Sequence, residues 1–193
     1  TSLTILLKGL TTLYDNKPLP TKYIDYPDYA IWEEKYKNSS TYQKDRAYWL
    51  NQFSTTPPIL EMPCRLQRPT IPSFSGNTIS LNLPKELSNS IIQIAKQQNV
   101  TPYMVLLAAY FILLYKYTNQ EEFVIGTPIM NREIPELENV LGMFVNNLAL
   151  RSSIDSTMKL KDSFQSIKEL CLGAFEHQSY PFDELVKDLK LKR

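Results

Sequence analysis

The chain has 193 residues, with 21 Lys+Arg against 20 Asp+Glu, one His, two Cys, 13 Pro and 5 Gly. A net charge of +1 argues against a nucleic-acid binder that works by neutralising many phosphates, and 43% hydrophobic with 11% aromatic residues excludes intrinsic disorder. Cys64 and Cys171 suit a reducing, cytoplasmic protein better than a disulfide scaffold, and the lone His177 excludes a metal site built on paired histidines.

Leu3, Leu6, Leu7, Leu10 and Leu13 recur at helical spacing and predict a first amphipathic helix, with Ser2 as its cap. A chain that opens inside such a pattern, with no Met, reads as a piece of something longer. Asn16 to Pro20 stop the helix. A second helix is predicted from about Asp28 to Asn51, partly solvated, with one buried face. Residues 54–75 hold Pro57, Pro58, Pro63, Pro69 and Pro72 and read as a long extended connector.

Gly76 to Pro84 alternates, with Ile79, Leu81 and Leu83 on one face, which predicts a strand. Pro84 opens a helix with Leu87, Ile91, Ile94 and Ala95 inward. Thr101-Pro102 starts another, apolar on every side from Tyr103 to Tyr117 and therefore expected inside the fold. Its longest apolar run, Tyr103 to Tyr115, rises about 1.5 Å per residue and falls short of the ~30 Å hydrocarbon core of a membrane. Phe123 to Gly126 reads as a short buried strand of the kind found in mostly parallel sheets, and Val145 to Arg151 as another. Lys159 to Gln178 is amphipathic, and Pro181 opens a last short helix with Leu185, Val186 and Leu189. Interleaved helices and strands give an α/β or α+β class, helices packed on a mixed sheet.

Four places bear on chemistry. His177 ends an amphipathic helix where no local arrangement supplies a nucleophile or an orienting carboxylate within hydrogen-bond reach, and a structural or interface role is expected. Asp25 and Asp28 sit three apart, but Asp28 reads as a helix cap, with Tyr29 and Trp32 packing inward. Arg132 follows a buried strand, as an anion clamp or as a structural ion-pair partner holding its loop, the latter favoured. Asn146 and Asn147 end the turn from Gly142; a buried amide there either fixes backbone or meets a polar substrate group. The five glycines are too scattered for a phosphate-cradling loop.

The order of four segments adds a family. Tyr26-Pro-Asp28-Tyr-Ala-Ile-Trp32 resembles the Tyr-x-Asp-Tyr-Ala-x-Trp motif of nonribosomal peptide synthetase condensation domains. Ile125-Gly-Thr-Pro-Ile-Met-Asn-Arg132 is similar to their Gly-x-Pro-x-x-x-Arg motif, and Leu141-Gly-Met-Phe-Val-Asn146 to Gly-Met-Phe-Val-Asn. His177-Gln-Ser-Tyr-Pro-Phe-Asp183 resembles His-Gln-Asp-Tyr-Pro-Phe-Glu, with Ser179 where Asp is common and Asp183 where Glu is common. The family's catalytic His-His-x-x-x-Asp-Gly motif is absent and would end just before Thr1; the family also continues past Arg193.

The resemblance implies a chloramphenicol-acetyltransferase-like lobe, one of two that form a V around a tunnel. Residues 1–53 would be the helices after the missing motif, 54–75 the connector, and 76–193 most of the C-terminal lobe. In such domains a carrier-bound thioester donor and a carrier-bound aminoacyl acceptor are joined by an amide. No catalytic residue would lie in this segment. Asn146, with Gly142, Met143 and Phe144, would face the tunnel; Asp28, Trp32, Arg132, His177, Pro181 and Phe182 would be structural. No metal or directly bound cofactor is implied, only the phosphopantetheine arms of partner carrier proteins. Further implied partners are the N-terminal lobe of the same domain and an adjoining adenylation domain, with no nucleic acid and no membrane. Two other readings are a non-catalytic condensation-like module that docks carrier or tailoring proteins, and a trimeric acyltransferase acting on free small substrates.

Overall fold

The computed structural model describes residues 2–19, 24–63, 73, 75–132, 134–155 and 157–190. In chain order the elements are helices α1 (Ser2–Tyr14), α2 (Tyr26–Lys37), α3 (Ser40–Gln52), α4 (Lys85–Gln98) and α5 (Pro102–Thr118), and strand β1 (Glu122–Ile129). A 3₁₀ turn (Pro135–Asn139), strand β2 (Asn146–Ser153), and helices α6 (Leu160–Glu176) and α7 (Phe182–Asp188) follow. They divide into two compact units. One holds residues 1–55, 126–149 and 175–193, the other residues 56–125 and 150–174.

Local signals explain most boundaries. The helix expected from Asp28 to Asn51 is two helices, because Ser39 adopts an extended conformation and its hydroxyl caps the Tyr42 amide, starting α3 anew. Thr101 caps α5 in the same way, with Pro102 in the first turn. Asn99 and Asn119 end α4 and α5 in the left-handed region, which asparagine tolerates. β1 and β2 form a two-stranded sheet. The Ile154 amide donates to the Glu121 carbonyl and Arg151 pairs with Glu122, so the end of β2 lies beside the start of β1 and the strands run antiparallel. The parallel pairing expected of Phe123–Gly126 is therefore replaced by an antiparallel one.

In the unit built from 56–125 and 150–174, the buried face of α5 carries Met104, Val105, Leu107, Ala108, Phe111 and Leu114. Phe111 stacks on Phe123 of β1 at 5.2 Å, and α6 adds Phe164, Ile167, Cys171 and Ala174. Burial pushes the Cys171 thiol up to about 11, so it is an unreactive core residue at neutral pH. Two expectations for this unit are corrected. The opposite face of α5 is not inside the fold, since Tyr103, Leu106, Tyr110, Leu113 and Tyr117 are all exposed. Among the described residues Gly76–Pro84 forms no strand, with Ile79 86% and Leu81 87% exposed; alternation alone cannot supply a neighbouring strand. Cys64, Pro69 and Pro72 lie outside the described residues.

In the other unit the leucine face of α1 is also exposed, from Leu3 to Leu13. Ser2 does not cap that helix. Its hydroxyl donates to the Gly142 carbonyl and accepts from the Gly142 amide and from Arg132 Nη2, tying α1 to the turn before β2. The core here gathers Tyr29, Leu137, Val140 and Phe144, with Trp49, Tyr180 and Leu185. Asp188 of α7 receives Arg46 Nε at 2.7 Å and the Tyr180 hydroxyl at 2.5 Å, joining α3 to α7.

Hydrogen bonding to Arg46 holds the Asp188 carboxyl below the usual carboxylate range, against the opposing effect of burial and with help from Tyr180. A depressed native pKa gives stability that is present above the unfolded carboxylate value, about 3.9, and is lost as pH falls through the native one. Arg46→Gln is thus expected to lower the melting temperature at pH 6, with the gap to the parent closing below about pH 4; thermal melts across that range check it. At Gly142 a Cβ would lie 2.0 Å from Cδ2 of Tyr26. Gly142→Ala must therefore displace that ring, and a loss of about 1–3 kcal/mol in urea unfolding is expected.

Candidate functional site

The motif residues of the first unit assemble around α2 and the segment 177–182. At the start of α2, Asp25 takes the cap position and Asp28 answers from the third helical residue, its Oδ2 accepting the Asp25 amide at 2.9 Å. Asp28 is thus a capping carboxylate with no acid–base partner role in its pairing with Asp25. Tyr29 packs inward as expected, but Trp32 does not: it is 48% exposed.

His177 closes α6, and the structure supplies the carboxylate that sequence proximity does not. His177 Nδ1 lies 2.7 Å from Oδ1 of Asp45 on α3, a residue 5% exposed. The other oxygen of Asp45 accepts the Tyr36 hydroxyl at 2.5 Å. Trp49 Nε1 donates to the His177 carbonyl at 2.8 Å, and Tyr48 stacks on the imidazole at 4.2 Å. The ring is therefore held on one nitrogen and one face by groups of its own unit. Sequence reasoning misses Asp45 and Tyr36. The available signal is Asp45, Tyr48 and Trp49 at i, i+3, i+4, which puts a carboxylate on the same helix face as a buried tryptophan.

Arg132 holds its loop through backbone carbonyls. Its guanidinium donates to the carbonyls of Leu137 and Val140 and to the Ser2 hydroxyl, and lies 4.2 Å over the Phe144 ring. Among the described residues no carboxylate pairs with it, so the favoured ion-pair reading is replaced by carbonyl and cation–π contacts.

Asn146 uses its whole amide within the unit. Nδ2 donates to the carbonyls of Gln178 and Tyr180 at 2.9 and 2.8 Å, and Oδ1 accepts from the amides of Phe182 and Asn147 at 3.0 and 2.9 Å. Pro181 occupies the cap position of α7, so Asn146 fixes the turn that launches that helix. Phe144 is buried against Tyr26 and Tyr29, whereas Met143 is 75% exposed. The Tyr26 hydroxyl donates to the Met143 carbonyl at 3.0 Å, which sets the backbone beneath that side chain. Among the described residues no group of three or more His, Cys, Asp or Glu side chains is placed to hold a metal ion. No single described helix is long and apolar enough to cross a membrane.

Comparisons with known proteins place this arrangement. The family model of the condensation domain matches residues 1–193. Gramicidin S synthase 2 of Brevibacillus brevis is 41% identical over 192 residues, covering 100% of this chain and 4% of the synthase. Tyrocidine synthase 2 of Brevibacillus parabrevis is 40% identical over 189 residues, 98% of this chain and 5% of that protein. The chain thus spans a small part of the curated relatives it matches. Among solved structures, the first condensation domain of the calcium-dependent antibiotic synthetase, in complex with a substrate analogue, superposes with a TM-score of 0.80 at 22% identity. It covers 97% of this chain and 42% of that one. The X-domain from teicoplanin biosynthesis, solved in complex with OxyB, gives 0.87 at 21% identity, over 100% of this chain and 45% of that one. Those likenesses establish the fold, which is that of a condensation domain. With its four motifs in order and the family match running along its whole length, the chain belongs to the condensation-domain family of nonribosomal peptide synthetases.

Proposed function

We propose that residues 1–193 are part of a cytoplasmic condensation domain that joins two carrier-bound substrates. The acceptor amine attacks the donor thioester carbonyl; a C–N bond forms and the C–S bond breaks. The nitrogen loses a proton once the C–N bond has formed, and the leaving thiolate of the phosphopantetheine arm gains one. What supports the reading is the family match over the full chain, with 41% and 40% identity to two peptide synthetases. Its partners are a donor and an acceptor carrier protein, the other lobe of the domain and an adenylation domain.

On this reading the chain contributes position and no proton transfer. Holding two tethered reactants in register is worth roughly 7–11 kcal/mol of barrier. The family's His-His-x-x-x-Asp-Gly motif does not occur in residues 1–193, so on this reading the base or amine-positioning group belongs to the part of the domain that carries that motif. The turn Gly142–Asn146 is the part that meets substrate. Met143 presents its side chain, Phe144 anchors the turn from below, and Asn146 sets the path of 178–182. The absence of that motif from residues 1–193 supports equally a second reading, a module that docks carrier or tailoring proteins and does no chemistry.

Purified 1–193, mixed with loaded donor and acceptor carrier proteins, is expected to release no amide by mass spectrometry. A polypeptide carrying this segment together with His-His-x-x-x-Asp-Gly is expected to release it. Amide from 1–193 alone would overturn the assignment of roles, and an inert longer polypeptide with the motif intact would leave the docking module. Asn146→Asp removes the two N–H donors and is expected to cost about 1–3 kcal/mol of stability. It should also lower kcat of the longer enzyme at a temperature where the variant is fully folded; an unchanged kcat there would show that the 178–182 turn Asn146 fixes has no bearing on catalysis.

A further inference from the structure

Tyr29, Trp32 and Tyr36 fall on one face of α2 at i, i+3 and i+7. Their rings follow one another at 5.5 and 5.4 Å with interplanar angles of 27° and 5°. The two tyrosines are buried, while the indole between them stays 48% exposed. Together they wall a cleft of about 190 Å³ whose lining also includes Asn131, Ile134 and, from the 3₁₀ turn, Leu137. That volume is below the roughly 300–1,000 Å³ of sites for drug-sized molecules and suits a single side chain.

The charged residues lining the cleft are Asp28 and Glu33, both acids. Among the described residues neither is in an ion pair. Asp28 spends one oxygen on the Asp25 amide, which leaves the other. The nearby Arg132 is committed to the carbonyls of Leu137 and Val140 and to the Phe144 ring. Aromatic walls with an unpaired carboxylate at the rim complement a planar, weakly hydrated cation that stacks and donates a fork of hydrogen bonds at once. The guanidinium has those properties, and the compact, strongly hydrated ammonium of lysine does not. Ile134, 45% exposed, offers apolar contact to whatever flanks that cation.

We propose that the cleft between α2 and the 3₁₀ turn receives an arginine side chain from an apolar-flanked segment of a partner protein. The guanidinium lies along the Tyr29–Trp32–Tyr36 wall and pairs with Glu33, with Asp28 completing the negative rim. The site lies within one unit of the fold, uses no residue of the Gly142–Asn146 turn, and stands whether or not the amide-forming reading holds.

The test is a titration of ¹⁵N-labelled 1–193 with the tripeptide acetyl-Leu-Arg-Leu-amide. The protein has two tryptophans, so the Trp32 indole signal reports the cleft and that of Trp49 serves as the internal reference. The expected result is a saturable shift of the Trp32 signal alone. The citrulline peptide, equal in shape but uncharged, should bind about tenfold more weakly, as loss of a charge-assisted pair requires. Glu33→Gln, on the half-buried rim, should weaken the arginine peptide by several-fold and narrow its margin over citrulline. Equal binding of the arginine and citrulline peptides, or an unchanged response in Glu33→Gln, would overturn the proposal. A lysine peptide binding as tightly would overturn the choice of guanidinium, and arginine amide binding as tightly as the tripeptide would overturn the partner-protein source.

Discussion

A carboxylate that water scarcely reaches must find its hydrogen bonds inside the protein, and Asp45 finds them on Tyr36 and His177. The side chains come from α3, the preceding helix α2 and the residue that follows α6, so satisfying one buried acid ties a segment 132 residues away to the α2–α3 pair. Removing either donor would leave the acid buried with too few partners, a loss far larger than the net worth of one hydrogen bond. The neighbouring contacts follow from this one. Trp49 sits a turn beyond Asp45 and reaches the His177 carbonyl, and Tyr48 covers the imidazole face.

The other motif side chains of this unit work by a similar principle. Arg132, Asn146 and Ser2 direct their polar atoms mainly at backbone groups: the carbonyls of Leu137 and Val140, those of Gln178 and Tyr180, and both groups of Gly142. Turns lack the ladders that satisfy backbone groups in helices and strands, so side chains must supply the missing partners. The motifs are legible as motifs for the same reason, since a glycine under a tyrosine ring or an amide with four fixed partners tolerates little substitution.

How much of this is written in the sequence differs from feature to feature. Helix existence and most ends are legible, because hydrophobic period, Ser/Thr caps and Pro starts are local signals. The break between α2 and α3 is the exception, although Asn38-Ser39 carries it. Faces are legible but their covers are not. The leucines of α1, the outer stripe of α5 and the alternation at 79–83 are apolar faces in the sequence, yet all three are exposed. Periodicity states that a face seeks a partner, and only the tertiary structure shows whether one is there.

The site divides the same way. Four motifs in order carry the resemblance to the family, whereas composition and the single histidine only narrow the class of protein. That His177 is locked by a carboxylate 132 residues away, that Asn146 spends its amide on the 178–182 turn, and that Trp32 faces a cleft are decided by the fold. The physical reason is range. Helical period, caps and motif spacing act over a few residues and are recorded in the order of the chain. A buried acid or amide chooses its partner from whatever folding brings within about 3 Å, and no local pattern records that choice.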